Sequence, residues 1–365
     1  MAEGCAIVGS GLAALAAFAT LRHRRVPAGE IAVFGTHADP TAVWRERAAA
    51  IRQERMRSES DGHLAPASFP GLAVREAAHR RSAAPLAASL TARYRPTVAD
   101  FLEHADAVRR RSGWDASFRE RRVERIRTVD GGFELDGEGP FRHVLVAGGH
   151  PGLALPDALR GRPGVVHAYE PHEYAARVAV VGAGMAAATE WLNALAAGAE
   201  VISVRRREPL RQPLNVPRPF FSKRGLAAFH GANDERRAAV LRQLSTPSYP
   251  PGRAWDEPLD AAVGEGRFRV EAIPPDGVQV ICATGFLRGY RHDPLLRRLA
   301  EEHDLPVHDR WIVLAPDSTV PSLTDDARTL SLAGVHAQWA FPAADTIAGA
   351  KYAARAFARR VCRTR

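Results

Sequence analysis

The sequence predicts an α/β protein made of two strand–helix–strand domains, the second inserted into the first. Three observations predict it. The pattern G-x-G-x-x-A follows an apolar strand-like run at Gly9 to Ala14 and again at Gly182 to Ala187. Each copy is followed by an Ala/Leu-rich stretch of helical length and then a second apolar run. Strand-like segments then return after residue 268 and end in a long amphipathic helix, as closing the first domain requires. Two Rossmann-like dinucleotide-binding domains follow from this. The expected division is 1–165 with 270–365 for the first and 166–269 for the second, and 365 residues are enough for two cores.

The elements read in order. Cys5-Ala6-Ile7-Val8 is a strand, Leu12 to about Arg25 a helix, and Ile31 to Phe34 the parallel neighbour. Residues 36 to 95 are rich in Pro, Gly, Ser and Arg without a firm period, which predicts a long loop region with one short helix at most. Residues 97 to 111 predict a helix. Thr97 and Asp100 make a capping-box-like pair, and Val98, Phe101, Leu102, Ala105 and Val108 share a face. Short strands are expected at 118–128, 132–136 and 141–147. The second unit runs Val178 to Val181, a helix ending at Gly198, and Val201 to Val204. Residues 209 to 258 are broken by prolines, with one helix expected near 234–244. Strands near 268–273, 278–283 and 329–333 precede a helix from Asp345 to Cys362, on which Ile347, Ala350, Ala354, Phe357 and Val361 form one stripe.

Charge and cysteine content narrow the function. The net charge of +9 comes almost wholly from arginine, since Lys223 and Lys351 are the only lysines among 50 basic residues. Runs such as Arg109-Arg110-Arg111 sit at a helix end, where the dipole favours cations. The charge therefore predicts a preference for anionic ligands rather than a nucleic-acid surface. Cys5, Cys282 and Cys362 are far apart, which predicts no disulfide framework and no Cys-x-x-Cys redox pair. No His, Asp and Glu spacing predicts a metal site. The apolar run Leu12 to Leu21 is shorter than the roughly 20 residues of a membrane span. We expect a cytoplasmic protein with no membrane partner, and a homo-oligomer is left open.

In each fingerprint the first Gly permits a tight turn and the second lets backbone approach a pyrophosphate. The third small residue lets helix and strand pack closely, and the diphosphate sits on the positive helix N-terminus. Arg205-Arg206-Arg207 follow the second strand of the second unit. Arginines there pair with a 2′-phosphate, so the second site predicts NADPH, held by Gly182, Gly184, Ala187, Arg205, Arg206 and Arg207. The first unit has Gly35 where a carboxylate usually meets a ribose hydroxyl, which leaves that contact to Thr36 or His37.

The chain resembles the class B flavin-dependent monooxygenases, which include the flavin-containing and N-hydroxylating enzymes. The residues that carry the resemblance are Gly9, Gly11 and Ala14, Val43-Trp44-Arg45, Pro96-Thr97, Val180 to Gly184 and Ala283-Thr284-Gly285-Phe286. Thr41-Ala42 stand where that family has two glycines, and the first hinge reads Ala147-Gly148-Gly149. The resemblance implies FAD at the first site, with Gly9, Gly11, Ala14, Gly35, Trp44, Arg45, Asp345 and Thr346 as candidate contacts. It implies NADPH- and O2-dependent oxygenation of N, S or a carbonyl of a small molecule through a flavin C4a-(hydro)peroxide. It also implies Asn215 as the candidate catalytic residue. The N-terminus of the last helix, at Asp345-Thr346, suits the flavin pyrimidine edge, where reduction builds negative charge. An FAD/NADPH reductase without oxygen insertion and a flavin-free NADPH-binding protein are the alternatives. The missing cysteine pair disfavours an ordinary dithiol disulfide reductase, and Gly35 motivates the flavin-free reading. His150, His167 and His336 read as satisfied structural histidines rather than bases.

Overall fold

The computed structural model describes residues 3–57, 63–68, 71–90, 94–212 and 216–364. The first unit opens with β1 (Glu3–Val8), α1 (Leu12–His23) and β2 (Ile31–Gly35). Next come α2 (Ala42–Ala50), α3 (Leu72–Arg80), α4 (Ala84–Leu90) and α5 (Val98–Ser112). Strands β3 (Phe118–Glu120), β4 (Ile126–Val129), β5 (Gly132–Leu135) and β6 (Glu138–Val146) follow. The second unit holds β7 (Val165–His167), β8 (Arg177–Val181), α6 (Met185–Ala196) and β9 (Glu200–Val204). After these come β10 (Leu210–Arg211), α7 (Lys223–His230), α8 (Asp234–Leu244), β11 (Ser248–Tyr249) and α9 (Arg253–Gly264). The chain ends through β12 (Phe268–Glu271), β13 (Gln279–Cys282), α10 (Pro294–Glu302), β14 (Val307–His308), β15 (Trp311–Ile312), β16 (Thr329–Leu332) and α11 (Ile347–Arg363).

Two parallel-stranded sheets organise these elements. The first runs β3-β2-β1-β6-β5-β4, with β16 beside the end of β6, and the second runs β12-β9-β8-β13-β7. Strands β1, β2, β3, β6 and β16 pair in parallel, while β4, β5 and the start of β6 form an antiparallel meander. Every pairing in the second sheet is parallel. That sheet runs through to Cys282. Residues 270–282, assigned to the first unit on sequence, therefore include strands of the second. The reason is register: Val280 pairs with both Ala179 and Val165, so this apolar run completes the second sheet.

Helix α1 shows why its sequence looks uniformly apolar. Residues Ala14 to Leu21 are all buried, because α1 lies between the first sheet and α11. A helix buried all round has no polar stripe to display. Its alanines allow α11 to approach closely, and Phe18 meets Trp114 edge-to-face at 5.5 Å. Helix α5 has the predicted cap, with Thr97 accepting from the Asp100 amide at 3.0 Å.

Two segments differ from expectation. The described residues of 36–95 hold three α-helices rather than a long loop, and those of 209–258 hold the greater part of three rather than one. The helices α2, α3 and α4 have only seven to nine residues, too short to display a helical period. Helix α9 carries Pro258 inside it, which local propensity treats as a breaker. Tertiary packing, through Leu259 and Ala262, decides there.

The chain crosses between sheets twice. It leaves β6 through Ala147-Gly148-Gly149 and leaves β13 through Ala283-Thr284-Gly285. The crossings pair with each other, Ala154 N–H to the Gly285 carbonyl at 3.0 Å and Leu287 N–H to the Gly152 carbonyl at 2.9 Å.

Candidate dinucleotide sites

Both fingerprints form the same turn. Gly9 has φ +112° and Gly182 has φ +137°, values that side chains rarely adopt. A Cβ on Gly9 would overlap the Ala147 carbonyl, and one on Gly182 would lie 2.5 Å from the Ala283 carbonyl oxygen. These glycines let each turn press against the neighbouring crossing. Ala14 and Ala187 are fully buried where helix meets strand.

The second glycine of each turn differs. A Cβ on Gly11 would meet no heavy atom within 4 Å, and one on Gly184 would meet only Pro247, at 4.0 Å. Both are N-cap residues of twelve-residue helices that have no side-chain cap. The first-turn amides of α1 and α6 therefore point into open space that a Cβ would fill, the shape an anion-bearing backbone needs. The residues present fit the pyrophosphate of a dinucleotide at both places.

Beyond β9, Arg205 is half-buried, its guanidinium 5.4 Å from the Trp191 ring and 3.0 Å from Glu208. Arg206 and Arg207 are exposed and make no ion pair among the described residues. The three arginines are thus not equivalent.

At the first cradle, Thr346 caps α11, accepting from the Gly349 amide at 3.2 Å. Gly349 is required because a Cβ there would overlap Ala343 and Ala344. Asp345, exposed at the head of α11, has its carboxyl pushed above the usual range by desolvation, opposed by Arg288. Asp293, which caps α10, lies beside the Gly148 backbone and 3.5 Å from His336. Burial would raise its pKa, but His336 and the Leu296 amide hold it below the usual carboxylate range.

Trp44 lies on α2 and packs edge-to-face on Phe101 at 5.2 Å. Arg45 turns to the surface, bound to Asp39 at 3.1 Å and the Thr41 hydroxyl at 3.0 Å. Thr41, where the family pattern has glycine, is buried and donates to Asp39 at 2.7 Å. Gly35 is buried, and a Cβ on it would overlap the Ser10 side chain. Asn215 lies outside the described residues.

Sequence reasoning missed Arg47. It is one turn beyond Trp44 on α2, and its guanidinium lies 4.8 Å from the Phe286 ring. Phe286 also stacks with His150 at 4.2 Å and with Tyr169 at 4.8 Å. His150 and Phe286 each follow directly on one of the two crossings, and Tyr169 follows β7. The α2 end also ties the units together: Asn193 donates to the Ile51 carbonyl at 2.9 Å, and Arg52 lies over Tyr174 at 4.4 Å. The spacing of Arg47 from Trp44 was the only sequence signal.

The histidines divide. His167 is satisfied at both nitrogens, donating from Nε2 to the Gly285 carbonyl at 3.0 Å and accepting at Nδ1 from the Tyr169 amide at 3.1 Å. His150 has a buried Nδ1 with no partner among the described residues. Desolvation, with Arg288 and Arg47 nearby, depresses its pKa to about 3. A folded value so far below the ordinary 6.5 means stability is full above pH 6.5 and falls as pH drops toward 3. The slope is about 1.4 kcal/mol per pH unit for this one group. We expect His150→Phe to flatten that part of the pH profile. Melting curves from pH 7.5 to 5 check it, and a variant with the parent's slope would contradict it.

No family model and no curated protein sequence matches the chain. Solved structures do match along its full length. An ornithine N-hydroxylase from Kutzneria sp. 744, solved with reduced FAD, NADP+ and L-ornithine, aligns with 100% of this chain and 99% of its own at TM-score 0.74 and 15% identity. This chain has the fold of that flavoprotein. The cadaverine monooxygenase of the desferrioxamine pathway from Erwinia amylovora, solved with FAD, covers 99% of this chain and 94% of its own at TM-score 0.72 and 12% identity. A bacillithiol disulfide reductase from Bacillus cereus covers 98% of both chains at TM-score 0.60 and 15% identity. The fold prediction from sequence, two Rossmann-like α/β units with one inserted in the other, agrees with the two parallel-stranded sheets and these alignments.

Proposed function

We propose that the protein is an FAD- and NADPH-dependent monooxygenase that oxygenates a nitrogen or sulfur of a small molecule. The observation that carries this reading is the pair of open glycine cradles, each heading an uncapped helix, within a fold that matches an N-hydroxylase from end to end. FAD supplies hydride acceptance from NADPH and activation of O2 when bound.

The chain's own residues do the rest. The α1 and α6 amides bind the two pyrophosphates, with Gly11 and Gly184 allowing close approach. Arg206 and Arg207 hold the 2′-phosphate. The capped N-terminus of α11 orients its dipole toward charge that builds on reduction. The stack of His150, Phe286 and Tyr169 excludes water beside the two crossings. We take a terminal amine as the first substrate class to try, because two matched structures are named for ornithine and cadaverine.

The test is NADPH oxidation and O2 uptake by the FAD-loaded protein, with ornithine, lysine, cadaverine, putrescine and alkyl thioethers in turn. A product heavier by one oxygen, formed in proportion to O2 consumed, is the expected result. The second reading, a reductase, is favoured by the disulfide reductase match. Rapid anaerobic NADPH oxidation with an added disulfide, and no oxygenated product in air, would establish it instead.

A further inference from the structure

The end of β2 lacks the carboxylate that would hold an adenosine ribose, and the structure explains why no side chain can stand there. A Cβ on Gly35 would overlap both Cβ and Oγ of Ser10, the middle residue of the first fingerprint. Ser10 is itself buried, and its Oγ accepts from the His37 amide at 3.4 Å. Serine at 10 and an acid at 35 exclude each other. Thr36 and His37 follow Gly35 but carry no carboxylate.

The neighbouring strand has one. Gly35 pairs in register with Glu120 on β3, and the Arg121 amide continues the ladder to the Gly35 carbonyl at 3.0 Å. The preceding pair, Phe34 and Arg119, shares a face, since the Arg119 guanidinium lies 5.4 Å from the Phe34 ring. Side chains alternate along strands, so Gly35 and Glu120 share the opposite face. That is the α1 face: Ile31 and Val33 pack with α1, whereas Ala32 and Phe34 belong to the other core. Glu120 therefore stands at the carboxyl edge of the sheet on the fingerprint side, one strand spacing of about 4.8 Å from Gly35. It is exposed and makes no ion pair among the described residues. Its neighbours Arg119 and Arg121 are both bound to Glu138.

We propose that Glu120, reached from β3, accepts the ribose hydroxyls of the adenosine bound at the first cradle, and that Ser10 fills the room vacated at β2. An ionised carboxylate is acceptor-only and suits two hydroxyl donors, and Glu is long enough to cover the extra strand spacing. The proposal rests on the FAD reading above.

The test uses the full chain stripped of flavin, with affinity read from quenching of flavin fluorescence. Glu120→Ala should weaken FAD at least tenfold and leave FMN, which has no adenosine, within twofold of the parent. Glu120→Gln should fall between. FAD made without the adenosine 2′-hydroxyl should lose most of its sensitivity to Glu120→Ala. Adding Ser10→Gly and Gly35→Glu to Glu120→Ala returns an acid to β2 and should restore affinity. A Glu120→Ala chain that binds FAD within twofold of the parent overturns the proposal and leaves the FAD reading standing. Equal weakening of FAD and FMN also overturns it. A parent chain that takes up no FAD overturns both.

Discussion

Gly11→Val is expected to give a folded, colourless protein. Gly11 has φ −86° and ψ −168°, extended backbone that any residue adopts. A Cβ there touches nothing within 4 Å, so the valine methyls enter only the cradle in front of α1. The pyrophosphate needs that space, because the α1 amides can reach it only across a bare backbone. Without ligand the variant should melt within about 2 °C of the parent, since surface changes away from structural features stay near ±0.5 kcal/mol. With FAD at about 100 times its dissociation constant, the parent gains roughly 2.7 kcal/mol and the variant gains nothing.

Gly9→Ala is the control with the opposite pattern. Its φ of +112° and its overlap with the Ala147 carbonyl strain the fold itself, at about 3 kcal/mol or more. Visible absorbance after purification and melting curves with and without FAD separate the two. A yellow Gly11→Val protein with the parent's affinity would mean that the first fingerprint is only a turn.

Replacing Arg206 and Arg207 together by Ala is expected to raise KM for NADPH about 100-fold and change KM for NADH little. Two charge-assisted contacts to a phosphate contribute about 1.5 kcal/mol each, and every 1.4 kcal/mol is tenfold. These two arginines are exposed and uncommitted among the described residues. Arg205→Ala should behave differently. That side chain lies on Trp191 and binds Glu208, so its loss loosens the end of β9 and weakens both cofactors alike. Steady-state kinetics with each cofactor distinguishes the cases. Equal loss of NADPH and NADH in the double variant would refute a 2′-phosphate role.

Much of the fold was legible because its signals are local. A tight turn at positive φ must be Gly9 or Gly182 whatever surrounds it, and apolar runs of strand length bracket both turns. The caps at Thr97 and Thr346 are read the same way, since the hydroxyl and the amide it serves are three residues apart. The helices between 42 and 90 were not legible. They are held by packing of residues such as Trp44, Leu72 and Ala73 against distant elements, and they are too short to show a period.

Sequence alone therefore determined two glycine turns, the helices they open, and the arginine run after the second strand of the second unit. Tertiary structure decided what these residues meet. Gly35 reads as a missing acid until Ser10 is seen in its place. Arg205, Arg206 and Arg207 read as one basic cluster until the Trp191 ring is found beside the first. Arg47 reads as one more surface charge until Phe286 arrives from 239 residues along the chain. The physical reason is common to all three. A turn or a cap is a contact between near neighbours, whereas a strand register or a stacked ring joins residues far apart in the chain.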